Sequence, residues 1–174
     1  MKSTRLIAMV CCLGLGIVTP PASGQAPMSS DSETHIQAQP LSVKLEDAKW
    51  SRMFPELGAR SPQISILRID PRTQATQLMI RVPKNFHVPM HWHTANETHT
   101  VLKGDFIVEC NGKRDVLERG DFNYVPSKMP HEAWTPKKEG ALLFITVDRA
   151  WDVNWVNGTP KPSDMIGGLK DRED

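Results

Sequence analysis

From residue 41 to residue 157 the chain is a succession of short runs, four to eight residues long, each closed by a turn signal. That pattern points to an all-β sandwich or barrel. Residues 63–69 (QISILRI) stop at Asp70-Pro71, and residues 75–82 stop at Pro83-Lys84-Asn85. Residues 86–93 and 97–102 come next. Residues 106–110 and 113–117 flank Asn111-Gly112, the strongest short hairpin signal a sequence offers. Residues 122–125, 132–135, 142–147 and 151–156 complete ten expected strands. Only residues 45–57 hint at a helical turn.

Onto this pattern the chain writes its chemistry. Residues 87–131 hold five of the six histidines. Alternate side chains of a strand share a face, so His91 and His93 point the same way. Glu97 follows after three spacer residues, and His131 lies after a Pro-rich turn. Two strand histidines of one parity, a carboxylate after a tight loop and a third histidine can converge inside a rolled sheet. Imidazole with one carboxylate suits Fe, Mn, Co, Ni, Cu or Zn, and this donor set does not choose among them.

The N-terminus reads differently. Lys2 and Arg5 precede a thirteen-residue apolar run, 6–18, and small residues Ala22-Ser23-Gly24 follow. This is the layout of a secretory signal peptide over residues 1–24. Thirteen residues fall short of the ~20 that span a bilayer. Residues 25–40 are polar, without an apolar period, and read as a flexible leader that contains His35. Cleavage would remove two of the 21 basic residues and none of the 20 acidic ones, leaving a net charge of −1. That balance favours neither nucleic acid nor an anionic membrane. The mature chain would be secreted or periplasmic, with no membrane anchor. Of the three cysteines only Cys110 would remain, so no internal disulfide could form, and its parity with Phe106 and Val108 marks it as a small buried hydrophobe.

The site residues resemble the cupin superfamily. Its first motif is Gly, five residues, His-x-His, three or four residues, Glu, six residues, Gly; here His91, His93, Glu97 and Gly104 match, with Asn85 in place of the leading glycine. Asparagine also visits the left-handed turn region. The second motif is Gly, five residues, Pro-x-Gly, two residues, His, three residues, Asn; Gly120, Pro126 and His131 match, with Lys128 and Thr135 at the remaining positions. The resemblance covers roughly residues 41–157 and implies a single jelly-roll β-barrel, followed by a C-terminal tail over residues 158–174. It also implies a divalent transition metal held by His91, His93, Glu97 and His131. Trp151 and Trp155, in AWDVNWVNG, are similar to the closing segment of small secreted bacterial cupins.

Three further side chains bear on function. His99 shares strand parity with Glu97 and is either a general acid/base or an orienting partner of that carboxylate. His87 shares parity with His91 and is expected to pack or hydrogen-bond rather than ligate. Tyr124 is the only tyrosine and is expected in the core. Phe106, Val108, Phe122 and Val101 are expected to supply an apolar lining.

The expected function is a metal-dependent enzyme of oxygenase type acting on a small organic substrate such as an enol, diketone or phenol. Glu97 or His99 would move a proton. An oxygen-independent isomerase, lyase or decarboxylase is the second reading, and a non-catalytic metal- or ligand-binding module the third. A homodimer is compatible with the fold, and the tail is expected to be either a disordered end or an arm on a partner subunit.

Overall fold

The structure is a computed structural model that describes residues 39–167. The expected signal peptide, residues 25–38 of the leader and residues 168–174 lie outside the described residues. Eleven strands follow in order: β1 (Ser51–Arg52), β2 (Gln63–Ile69), β3 (Thr76–Val82), β4 (His87–Trp92), β5 (Glu97–Lys103), β6 (Phe106–Cys110), β7 (Lys113–Leu117), β8 (Phe122–Val125), β9 (His131–Trp134), β10 (Ala141–Val147) and β11 (Asn154–Trp155). Among the described residues helix is confined to three 3-10 turns; Leu45–Asp47 lies within the region that hinted at helix and Pro55–Arg60 begins in it. Among the described residues no helix is long and apolar enough to cross a membrane.

The strands form two antiparallel sheets, ordered β1-β2-β3-β10-β5-β8 and β11-β4-β9-β6-β7. Their inner faces pack together, so the expected jelly roll is a two-sheet sandwich. Period-two burial sets the contact. Ala141, Leu143, Ile145 and Val147 of β10 are buried, beside Leu78, Ile80 and Val82 of β3. Val101 from β5 and Val108 and Ala133 from the facing sheet join the same core. Each buried valine, leucine or isoleucine among them stabilises the fold by about 1.5–3 kcal/mol relative to exposure. Cys110 packs half-buried against this core, and burial pushes its thiol pKa up.

Turn chemistry fixes the register. Asn111 and Gly112 both have positive φ, and Cys110 pairs with Lys113 across them, as a two-residue hairpin requires. The two residues that replace motif glycines keep the conformation for which glycine is usually chosen: Asn85 has φ 53° and Lys128 φ 62°. Thr135, in place of the motif asparagine, is fully buried. Its hydroxyl accepts from the Phe86 amide at 3.1 Å and donates to the Pro83 carbonyl at 2.6 Å, so it ties the entry of β4 to the end of β9. Thr135→Val keeps the shape but orphans both buried backbone groups. It is expected to cost roughly 1–3 kcal/mol, read as a lower urea midpoint at unchanged slope.

Three expectations need correction. His87 does not share a face with His91. The β4–β9 register shifts between Val88 and His91, where Pro89 has no amide to give the ladder. Phe86 and Val88 therefore face inward with His91 and His93, and His87 points outward. There it bonds Glu132 at 3.0 Å and stacks on Trp134 at 5.0 Å, which agrees with a hydrogen-bonding role. Phe122 and Tyr124 are not interior. Glu97 pairs with Val125 and His99 with Asn123, so the alternate residues of β8 face solvent, with Phe122 62% and Tyr124 52% exposed. The Tyr124 hydroxyl donates to Asn96. Finally, the tail as far as Gly167 lies on its own chain: Met165 is buried, its carbonyl accepts from the His87 amide, and Phe86 bridges to Ile166.

Candidate metal centre

The two sheets bring their polar residues together at one end of the sandwich. His91 and His131 are directly opposed on β4 and β9, with ring centroids 4.2 Å apart. His93 follows β4 immediately, and its ring lies 4.8 Å from His91 and 5.2 Å from His131. The inward positions of β5 in the facing sheet read Glu97, His99, Val101. Donor nitrogens of His91, His93 and His131 fall within 4.8 Å of one another, and all three residues are buried. One carboxylate oxygen, Glu97 Oε2, lies 3.0 Å from His93 Nε2, 3.3 Å from His99 Nε2 and 3.7 Å from His131 Nε2. Of the four expected ligands, His91, His93 and His131 cluster together, Glu97 reaches His93 and His131, and His99 joins them beside Glu97.

Backbone carbonyls decide which ring nitrogen is available. Nδ1 of His91 lies 2.8 Å from the Pro89 carbonyl, Nδ1 of His131 lies 3.0 Å from the Met129 carbonyl, and Nδ1 of His93 bonds the Asp152 carbonyl. A carbonyl only accepts, so each Nδ1 carries the hydrogen and each neutral ring turns its Nε2 lone pair inward. His91 and His131 are neutral, their pKa values lowered to about 3 and about 4, chiefly by burial. Burial opposes protonation of His93 as well, but the adjacent Glu97 carboxylate outweighs it and raises its pKa. Burial would raise the Glu97 pKa, yet the histidines around it hold the carboxyl well below the usual range.

These residues fit a cation. Glu97 Oε2 is buried and accepts no hydrogen bond of good geometry, although three imidazole nitrogens surround it. A negative oxygen facing inward-pointing lone pairs is an arrangement that a divalent ion at their centre satisfies. His91, His93, His131 and Glu97 could hold it.

The loop between His93 and Glu97 is clamped at both ends. Asp152 accepts from the Thr94 amide and hydroxyl, at 2.8 and 2.6 Å, and Asp148 accepts from the Asn96 amide at 3.0 Å. The rest of the pocket is apolar. Phe106 from the expected lining borders it, as do Phe54, Val153, Trp151 and Trp155. Val101 and Val108 lie in the core instead. No lysine or arginine lines the pocket. The common parity of Trp151, Val153 and Trp155 in the expected strand 151–156 is the signal in the sequence for this shared wall.

The comparisons with known proteins agree with this fold. A family model described as Cupin domain matches residues 78–148. The polyketide cyclase RemF from Streptomyces resistomycificus is similar in structure at 20% identity, with 72% of this chain and 92% of that chain covered and a TM-score of 0.60. An RmlC-like cupin from Shewanella frigidimarina is similar at 22% identity, with 62% and 89% covered and a TM-score of 0.53. The DMSP lyase DddQ from Ruegeria pomeroyi is similar at 16% identity, with 66% and 64% covered and a TM-score of 0.55. No curated protein sequence matches the chain.

Proposed function

The chain belongs to the cupin superfamily, and on that premise we propose that it is a metal-dependent enzyme of oxygenase type acting on a small, largely apolar organic substrate. The observation that carries this reading is the convergence of three imidazoles and Glu97 Oε2 at the base of a pocket walled by aromatic and aliphatic side chains. His91, His93, His131 and Glu97 would hold the ion, which when bound supplies Lewis-acid polarisation and exchangeable positions for oxygen donors. We take the protein to work outside the cytoplasm, in line with the signal-like N-terminus, and its partner to be that small molecule. A homodimer is compatible with this reading.

The chain's own groups set what the pocket can do. Among the described residues that line it there is no lysine or arginine, so it offers no permanently cationic side chain to a substrate phosphate or remote carboxylate. Flat apolar surface is its main offer, so an enol, diketone or phenol fits best. His99 sits where a proton can be held or moved, with Nε2 3.3 Å from Glu97 Oε2 and Nδ1 3.2 Å from Asn123 Oδ1. His99→Ala is expected to retain the metal and lose about 10²–10⁴-fold in turnover. Unchanged kinetics in that variant would reduce His99 to an orienting or filling group.

Oxygen-free chemistry is the second reading. It rests on the same histidine, which serves an isomerase or lyase equally well, and on a fold that hosts a cyclase and a lyase among similar structures. Oxygen uptake by metal-loaded protein against a panel of enols, diketones and phenols separates the readings. Oxygen consumed in step with substrate supports the oxygenase. Substrate loss that persists without oxygen favours the second reading, and no turnover under either condition leaves a binding module.

A further inference from the structure

One short segment, Trp151 to Trp155, reaches three of the four candidate ligands. The Trp151 indole Nε1–H donates to Glu97 Oε1 at 3.1 Å. That is the carboxylate oxygen turned away from the imidazoles, because Oε2 faces the three Nε2 atoms. The Trp151 ring also stacks beside His93, with centroids 6.0 Å apart at 25°. The next residue supplies the Asp152 carbonyl that takes the His93 Nδ1 hydrogen, and its carboxylate anchors Thr94. Trp155 lies against His91 at 5.4 Å, and β11 pairs Trp155 with His91. The segment falls outside the residues 78–148 matched by the family model.

We propose that Trp151 is a positioning residue for the metal centre: its indole occupies Glu97 Oε1 and so presents Oε2 alone to the ion. A carboxylate free at both oxygens can rotate and bind through either or both, whereas one oxygen tied to a fixed donor limits it to the other. Trp151 suits the task because its ring stacks beside His93 and packs against the core, and its single donor has one direction to point. The inference rests on the metal-binding reading above. Partners that hold a metal ligand in this way typically contribute 10–100-fold to affinity.

Trp151→Phe keeps a ring and removes the donor; Trp50→Phe changes an indole that packs under the Arg81 guanidinium and does not line the pocket. Both variants and the wild type are to be titrated with zinc and cobalt(II) against a competing chelator. Trp151→Phe is expected to bind about 10–100-fold more weakly, and its cobalt(II) visible bands should lose intensity as Glu97 becomes bidentate and the coordination number rises. Trp50→Phe should match the wild type in both respects. Equal affinity and an unchanged cobalt spectrum in Trp151→Phe would overturn the inference and leave the metal centre intact. A wild type that binds neither metal would overturn the metal-binding reading itself. If Trp151→Phe does not fold, wild-type protein labelled with 15N-tryptophan and loaded with cobalt(II) decides. An indole proton bonded to the ligating carboxylate is carried outside the diamagnetic range, whereas all five indole signals remaining inside it would refute the proposal.

Discussion

His131→Ala is expected to strip the protein of bound metal, from one ion per chain to less than a tenth of that in protein purified without added metal. His91→Ala should do the same. The two imidazoles oppose each other across β4 and β9, and their Nδ1 hydrogens are committed to the Met129 and Pro89 carbonyls. Alanine at either position leaves nothing that can reach the vacated corner. A partner that merely orients a ligand is worth about 10–100-fold in affinity, so removing the ligand itself should cost more. The sign with pH also follows. Burial holds the pKa of His131 at about 4 and that of His91 at about 3, so both lone pairs are free throughout the neutral range. Full occupancy in either variant, measured by elemental analysis alongside an unchanged circular dichroism spectrum, would contradict the ligand assignment.

Gly104→Ala should produce the largest loss of stability among single-methyl changes. Gly104 has φ 71°, and an added Cβ would stand 2.0 Å from the Gly140 carbonyl oxygen. Left-handed backbone costs a non-glycine residue about 1 kcal/mol or more, and forced overpacking adds about 1–3 kcal/mol. A total of about 3 kcal/mol is a large share of the 5–15 kcal/mol that typically holds a domain together, and it should lower Tm by about 10 °C. Gly112→Ala is the matched control. Gly112 has φ 73° with nothing within 4 Å of the added carbon, so it should show the conformational penalty alone, about 1 kcal/mol. Equal losses in the two variants would mean that the Gly104–Gly140 approach is looser than described.

The candidate metal ligands were legible because strand geometry converts spacing into direction. His-x-His with a carboxylate after three spacer residues specifies one face of β4 and the start of β5, and Asn111-Gly112 fixes the hairpin register. The same rule misplaced His87, because alternation counts faces only along an unbroken ladder. Pro89 sits where the β4–β9 register shifts, and everything before it changes sides. Phe122 and Tyr124 were misread for a related reason: hydrophobicity suggested an interior, but pairing with β5 hands the inner face of β8 to Asn123 and Val125. Trp151 and Asp152 could not be found from local pattern. Their partners, Glu97 and His93, are 54 and 59 residues away, and one of the two contacts uses a backbone carbonyl that no side-chain motif records. Thr135 was legible only as a departure from a motif; its double hydrogen bond required the coordinates.

X-ray absorption on zinc-loaded wild-type protein is the decisive measurement, because the scattering counts imidazoles around the ion. Three are expected, with zinc–nitrogen distances near the usual ~2.0–2.1 Å, and a first shell completed by oxygen. A first shell with one imidazole or none, or zinc that fails to bind at all, would contradict the proposed metal centre.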